Sequence, residues 1–447
     1  MLFQGSNIGC WRRFLLTTGA VAFLVPASWA QPSPTDATVK FFQARISKDP
    51  DDFTNYDRLG AAYLQKGRES CDLTYYELAE KSLRKAMEMA SKEKEEAVSP
   101  QLHLAATLFA EHRFAESLAL AQGALASEPR AIAGNAILGD AYLETGEYER
   151  AAEAYSKLKP SEPLGEAALD YLYESRIGNL SLLRGETQAA IAHMQHTIAA
   201  ARRTNVPKEN LAWVQFTLGE YYWQAGDLVQ ASAAAEAALR SFPGYYRALA
   251  LFGQVRAAQG KYTESAKQYE KALAAVPLPT YAAALGDILR KSGGAAGAQQ
   301  QYDLVEYMAR LSALNKTVYN RELAIFYADH GMNLAQAVTL ARKELEVRHG
   351  VYSWDALAWA LHQNGQSREA LEALRQALRL DTKDPLLFFH AGMIYRAIGE
   401  PARAAGYLRR ALAINPKFHV LYSAVAENTL ADLRRNVGRQ EQASNAH

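Results

Sequence analysis

The sequence is poor in cysteine and proline and carries no excess of charge of either sign. Its 447 residues include 2 Cys and 15 Pro. A fold held together by several disulfides is therefore excluded, and helices can run with few interruptions. The formal net charge of +1 gives no general attraction to nucleic acid or to an anionic membrane surface. We therefore expect no nucleic-acid partner.

Long apolar runs are also scarce, and the most notable one lies near the N-terminus. Arg12 and Arg13 precede an apolar run over residues 14–25, and small residues up to Ala30 form a site of the type that signal peptidase cleaves. The sequence predicts a signal peptide over residues 1–30 and export to the periplasm or the extracellular space. The general secretory route and the twin-arginine route are both open. The apolar run is short for a bilayer, so we expect no membrane span after cleavage. A retained anchor and a peripheral position at the cell envelope are the alternatives.

The segment that follows the predicted signal has few constraints of its own. Cleavage after residue 30 removes Cys10 and leaves Cys71 alone, so the mature chain would form no internal disulfide. Pro32 and Pro34 oppose helix formation. We therefore predict a flexible leader and a first helix within residues 31–50.

Internal repetition is what the chain has in abundance. Hydrophobic residues make up 49% of the sequence, and a single globular core rarely grows to this length, so an array of repeats is favoured. One pattern recurs with a period near 34 residues: a small residue, then an aromatic residue, a glycine, an alanine and a proline at regular spacings. Its clearest copies start at Gly139, Gly219, Gly253 and Gly392.

This pattern resembles the tetratricopeptide repeat (TPR) family over nearly the whole mature chain. The resemblance implies an all-α, right-handed superhelical solenoid of about ten helix-turn-helix units over residues 51–417. A capping helix over 418–436 and a disordered tail over 437–447 would follow. In that fold the second glycine of each unit ends the first helix in a left-handed conformation. No unit buries its apolar face alone, so stability comes from stacking.

Two units depart from the regular period. The first carries about seven extra residues before Ala79. The fourth, at Gly178, follows its predecessor by 39 residues and precedes its successor by 41. The spacings around Gly178 predict longer helices or loops on both sides of it, whereas the extra residues of the first unit are an insertion that holds Cys71, Tyr75 and Tyr76.

The resemblance also implies which residues line the concave groove, because the residue after the motif's small residue points into it. This position gives a polar ladder of Asp140, Asn179, Glu220, Gln254 and Asp287, followed by the apolar Ile325, Trp359 and Met393. Aromatic and arginine side chains often anchor interfaces. Two clusters are therefore candidate partner-binding sites: Trp213, Phe216, Glu220 and Trp223 in unit five, and Trp359, His362, Phe389, Met393 and Arg396 in units nine and ten. The alternatives are a solvated groove for the ladder, and packing against neighbouring helices or the cap for the clusters.

No catalytic pattern stands out in the sequence. It has no Gly-rich phosphate loop, no Gly-Xaa-Ser-Xaa-Gly turn, no His-Glu-Xaa-Xaa-His zinc motif and no CxxC pair. We therefore predict neither an enzyme nor a cofactor nor a metal. His193 and His196 could share a metal ion, but they lack a third ligand and fit a solvated helix face.

The sequence therefore predicts an extracytoplasmic scaffold or adaptor that binds a protein or peptide partner in its groove. A helical-repeat enzyme acting on cell-envelope glycans is one alternative. It would use Asp140 and Glu220, and its two carboxyl groups would have to lie roughly 5–10 Å apart. A self-assembling envelope subunit is the other, and the predicted closing helix argues against it.

Overall fold

The computed structural model describes residues 33–93, 96–160, 167–314 and 320–444. Within these ranges the chain is built from 22 α-helices and contains no strand. The all-α solenoid predicted from the repeat is therefore confirmed. The predicted signal peptide lies outside the described residues. Among the helices that are described, none has the length and apolar character needed to cross a membrane.

Twenty of the helices form ten consecutive pairs, units one to ten, each with a first helix (A) and a second helix (B). A single helix, α1 (Pro34–Lys48), precedes the array, and another, α22 (Tyr422–Ser444), follows it. The pairs are α2 (Phe53–Ser70) and α3 (Thr74–Glu93), α4 (Val98–Ala110) and α5 (Phe114–Ser127), α6 (Ile132–Glu144) and α7 (Tyr148–Ser156), α8 (Ala167–Leu183) and α9 (Thr187–Arg203), α10 (Lys208–Gln224) and α11 (Leu228–Ser241), α12 (Tyr246–Ala258) and α13 (Tyr262–Ala275), α14 (Pro279–Lys291) and α15 (Ala295–Leu314), α16 (Asn320–His330) and α17 (Leu334–Glu344), α18 (Val351–Gln363) and α19 (Ser367–Ala377), and α20 (Pro385–Ala397) and α21 (Pro401–Ile414).

Each turn between an A and a B helix contains a residue in the left-handed conformation. Glycine supplies it in units three to ten, and these residues are Gly146, Gly185, Gly226, Gly260, Gly293, Gly331, Gly365 and Gly399. In units one and two the residues are Cys71, with φ of 55°, and His112, with φ of 63°. Glycine meets no steric penalty there, so its recurrence in the motif follows from the backbone of the turn.

Both ends of the array differ from the sequence-based boundaries. Pro34, expected to oppose helix, is the first residue of α1, and Ser33 caps it through a capping box with Asp36. Proline is tolerated there because the first helical N–H has no intrahelical partner. The last helix starts at Tyr422 and extends to Ser444, whereas the sequence predicts a cap over 418–436 and a tail over 437–447. Residues 439–443 are mostly good helix formers, which outweigh the single Gly438.

The two units with irregular spacing contain longer helices than unit nine. In unit one, α2 and α3 have 18 and 20 residues. In unit four, α8 and α9 have 17 residues each. In unit nine, by comparison, α18 and α19 have 13 and 11. The extra residues therefore lengthen the helices and leave the pairing of helices unchanged.

The array winds far enough for its two halves to touch, along a line that we call the seam. The A–B turns of units three, four and five contact the loops that follow units eight, nine and ten. The backbone N–H of His349 donates to the carbonyl of Glu144 at 3.1 Å. The Thr382 hydroxyl donates to the carbonyl of Leu183, and the Asn415 amide donates to that of Trp223 at 2.9 Å. Three successive units thus repeat one contact.

Packing at the seam brings three of the turn glycines close to backbone. A Cβ atom on Gly146 would lie 2.5 Å from the carbonyl oxygen of His349, and one on Gly185 would lie 2.5 Å from that of Asp381. A Cβ atom on Gly226 would collide with the carbonyl oxygen of Ile414. The turn glycine of unit nine, Gly365, has nothing within 4 Å of that position. The motif glycine therefore has a second role in units three to five, where it permits close approach of the seam.

Arg348 is the main charged residue of the seam. Its guanidinium donates to Glu144 at 2.9 Å, to Glu344 at 3.0 Å and to a ring nitrogen of His112 at 2.6 Å. The ring can accept this bond only when it is neutral. Burial, and then the charge of Arg348, lower the pKa of His112 to about 4.

We expect the stability of the seam to fall in mild acid through His112. Since its pKa is lowered from 6.5 to about 4, its contribution is complete above about pH 6.5 and is lost as the pH falls toward 4. We expect a loss of roughly 1–2 kcal/mol across this range, after allowance for solvent screening. His112→Asn keeps a residue that tolerates the left-handed turn and should flatten the pH dependence of urea unfolding. The control is His196→Asn, at an exposed histidine, which should keep the wild-type pH dependence. An unchanged pH dependence of urea unfolding in His112→Asn would contradict the role given to His112.

Candidate functional site

The A helices of all ten units line a space at the axis of the superhelix, which we call the central cavity. It consists of two adjoining compartments with volumes of about 810 and 1160 Å³. Both compartments are bordered by Phe216, Glu220, Trp223, Arg247 and Gln254. The seam closes the groove on one side, so the concave face is a deep cavity in which ligand and protein can contact over much of the ligand surface.

The polar ladder predicted from the repeat lies along this cavity. Asp140, Asn179, Glu220 and Gln254 line the larger compartment together with Ile325, and Asp287 lines the smaller one. Helices with equivalent packing present equivalent faces, so one motif position is repeated along the axis. Contact of these residues with a partner is still a prediction.

The unit-five cluster also faces the cavity. Trp213, Phe216, Glu220 and Trp223 are spaced three, four and three residues apart along α10, which places them on one face of the helix. Trp213 and Trp223 are half-buried and Phe216 is buried. These rings give the middle of the cavity an aromatic wall that is partly accessible.

The cluster in units nine and ten does not line the cavity. Its two aromatic residues, which we expected to be exposed to a partner, are buried. Trp359 is 1% exposed and Phe389 is fully buried. His362 and Met393 are half-buried, and Arg396 is exposed. None of the five borders either compartment. Trp359 and Phe389 therefore fit the alternative interpretation, in which the cluster packs against the cap.

The C-terminal segment covers these aromatic residues. The ring of Tyr422 stacks on Phe389 at 4.6 Å and meets Trp359 edge to face at 5.6 Å. Asp329 accepts hydrogen bonds from the Trp359 indole and from the Tyr422 hydroxyl, both at 2.7 Å. Tyr422 therefore ties the last helix to units eight, nine and ten.

Two acidic residues of the ladder are already neutralised within the protein. Asp140 pairs with Arg176 at 2.7 Å and accepts from the Tyr155 hydroxyl at 3.0 Å. Asp287 contacts His330 at 2.8 Å and accepts from the Tyr302 hydroxyl at 2.8 Å. Burial lowers the pKa of His330, but the hydrogen bond and charge of Asp287 outweigh burial and raise it overall.

Glu220 differs from both of these residues. It is exposed to solvent within the cavity, and no ion pair or hydrogen bond joins its carboxylate to any part of the chain that the structure describes. The surrounding protein raises the pKa of Glu220 to about 7, against the opposing effect of Arg247.

Several cavity residues were missed by reasoning from the repeat motif. Arg176 and Arg321 border the larger compartment, and neither occupies the ladder position. Arg176 precedes Asn179 by three residues and Arg321 precedes Ile325 by four. Both therefore lie one helical turn before a ladder residue, on the same face. Extending the ladder by one turn toward each helix N-terminus would have found them.

The histidine pair on α9 is held by a carboxylate. His193 lies 2.6 Å and His196 lies 3.6 Å from Glu174. Among the residues described, no group of three or more His, Cys, Asp or Glu side chains is placed to hold a metal ion. The arrangement fits polar side chains that share one carboxylate on a helix face.

Similarity to solved structures is confined to the fold. The crystal structure of the APC/C hetero-tetramer Cut9–Hcn1 is 14% identical with a TM-score of 0.33, covering 89% of this chain and 93% of that chain. A tetratricopeptide repeat protein from Parabacteroides merdae is 16% identical with a TM-score of 0.34, covering 59% and 99%. The human IFIT1 dimer with PPP-AAAA is 12% identical with a TM-score of 0.45, covering 85% and 87%. No curated protein matches the chain.

Two family models, both described as tetratricopeptide repeat, match the sequence itself. One matches residues 169–244, and the other matches residues 102–174, 216–278 and 356–417. Together these segments make up more than half of the chain, and each lies within the helix pairs described above. The repeat pattern, the ten helix pairs and these matches agree, and the chain belongs to the tetratricopeptide repeat family.

Proposed function

We propose that this protein is an exported scaffold that holds a segment of a protein partner in its central cavity. The observation that carries the proposal is the cavity itself, bordered by all ten A helices and lined at unit five by Trp213, Phe216 and Trp223. Partly accessible aromatic side chains in a concave site supply contact area at a low cost in conformational entropy.

The shape of the cavity limits the form of the partner segment. The seam closes one side of the groove, which favours an extended peptide or a single helix over a folded domain as the occupant. Export is part of the proposal, and it is supported by the N-terminal pattern of arginines, apolar residues and small residues ending at Ala30.

Glycan hydrolysis has less support. It would need Asp140 and Glu220 as a pair of working carboxyl groups. Glu220 has a raised pKa, which suits a general acid. Asp140, however, already forms an ion pair with Arg176 and accepts a hydrogen bond from Tyr155, as expected of a residue that serves the fold.

A site-specific photo-crosslink tests the proposed function. A photoreactive amino acid at Gln254 faces both compartments, and the same group at Val229, which is 73% exposed on α11, serves as the control. We expect the full-length protein, expressed in its native cell, to give one defined adduct from position 254 and none from 229. An adduct from position 229 alone would place the partner outside the cavity and refute the proposal.

A further inference from the structure

The acidic residues of the ladder are neutralised by a repeated arrangement that unit five lacks. Asp140 and Asp287 each accept a hydrogen bond from a tyrosine fifteen residues later, Tyr155 and Tyr302. The residue fifteen positions after Glu220 is Ala235, which is fully buried. No hydroxyl therefore reaches Glu220 from its own B helix.

The next A helix does not supply a partner either. Arg176, which pairs with Asp140, stands two residues before the motif glycine of unit four. The corresponding residue of unit six is Leu251, which is 2% exposed. Glu220 therefore has neither the tyrosine hydroxyl nor the arginine that Asp140 has, although both residues occupy the same position in the repeat.

A second charged group in the same compartment also lacks a counter-ion. Arg247, in the first turn of α12, donates from Nε to the hydroxyl of Tyr246 at 3.0 Å. No carboxylate lies within ion-pair distance of it in the described part of the chain. Arg247 and Glu220 border the same space, yet they do not form an ion pair with each other.

The helix that carries Glu220 has further unsatisfied polar atoms. Asn210 Oδ1 and the Tyr221 hydroxyl are buried, border the larger compartment and have no hydrogen-bond partner among the described residues. Buried polar atoms without partners are costly. Both groups can accept hydrogen bonds, and Glu220 and the aromatic residues of α10 border the same compartment, which suits a ligand that brings N–H donors and positive charge.

We propose that this part of the cavity, between α10, α12 and α14, binds a peptide segment carrying both charges. A lysine or arginine side chain would lie against Glu220, flanked by Phe216 and Trp223, and an acidic side chain would lie against Arg247. Neighbouring A helices pack roughly 10 Å apart, which about three residues of extended chain would span. The proposal rests on the proposed function, since it names the chemistry of the segment held in the same cavity.

Binding of labelled synthetic peptides to the full-length protein, measured by fluorescence anisotropy, tests the proposal. The probe is an extended, end-blocked peptide with a lysine and a glutamate about three residues apart and small neutral residues elsewhere. Two further probes have glutamine in place of the lysine or of the glutamate. A fourth has the glutamate replaced by a free C-terminal carboxylate. We expect each glutamine replacement to weaken binding about tenfold or more.

The protein variants assign each charge to its partner. Glu220→Gln should abolish the preference for lysine and keep the preference for glutamate, whereas Arg247→Gln should do the reverse. Glu153→Gln is the control, because Glu153 is exposed on α7 and borders neither compartment of the cavity. It should keep both preferences. If the peptide with a free C-terminal carboxylate binds more tightly than the peptide with glutamate, Arg247 binds a chain terminus. The proposal that it binds an acidic side chain would then be wrong.

Failure of this proposal can be distinguished from failure of the proposed function. Equal binding of the lysine and glutamine peptides would overturn the charge assignment, whereas an adduct from position 254 would still support a partner in the cavity. Loss of stability without a change in peptide preference in Glu220→Gln would show that Glu220 serves only the fold. Absence of both the adduct and the peptide complex would reject both proposals.

Discussion

Trp359→Ala should destabilise the C-terminal units by about 3–5 kcal/mol, the usual cost of removing a fully buried tryptophan. Trp359 is 1% exposed, stacks on His390 at 4.2 Å and donates to Asp329 at 2.7 Å. The substitution leaves a void beneath Tyr422 and removes one of the two donors to Asp329. Because stability in a repeat array is partly local, we expect early unfolding of α18 to α22. Hydrogen exchange measured during a urea titration would show whether α18 to α22 unfold first.

Trp223→Ala is the control for this prediction. Trp223 is half-buried and borders the cavity, so its removal should cost less than about 1 kcal/mol. Trp359→Phe should give an intermediate loss of stability, because the phenylalanine ring fills most of the space of the indole but lacks its N–H donor. Equal losses in the two alanine variants would show that Trp359 is not covered by the last helix in solution.

Gly185→Ala should destabilise the protein more than Gly365→Ala, by about 1–3 kcal/mol. The two glycines have nearly the same left-handed backbone, with φ of 74° and 79°, so the intrinsic strain of about 1–2 kcal/mol is common to both substitutions. Only at position 185 does the new methyl group meet backbone, at 2.5 Å from the carbonyl oxygen of Asp381. Backbone cannot move aside as a side chain can, so the difference reports on the seam.

The structural consequence of Gly185→Ala is also measurable. We expect a larger radius of gyration by small-angle scattering and faster hydrogen exchange on both sides of the seam, near residues 183 and 382. Gly365→Ala should leave both unchanged. Equal unfolding free energies and equal dimensions for the two variants would mean that the seam is open in solution, and the groove would then be accessible from the side.

Much of the candidate site could be derived from the repeat. The ladder residues border the cavity from Asp140 to Asp287 because each motif position keeps its direction as long as the units stack regularly. Trp359 occupies the same motif position, yet it is buried. The difference lies in Tyr422, which approaches from a helix outside the motif. Motif position predicts the direction of a side chain, and it does not predict what else occupies the space.

The sequence by itself determined the helix pairs, their turns and the polar face of the groove, because these depend on residues within about one repeat of each other. The left-handed glycine turns and the close helix crossings are local requirements that a 34-residue pattern states directly. Only the tertiary structure decided that the two halves of the array meet along the seam and close one side of the groove. Thr382 and Leu183 meet across 199 residues, through small adjustments that accumulate over several units and leave no local pattern. The same packing decided which charged residues have a counter-ion among the described residues, and it left Glu220 and Arg247 without one.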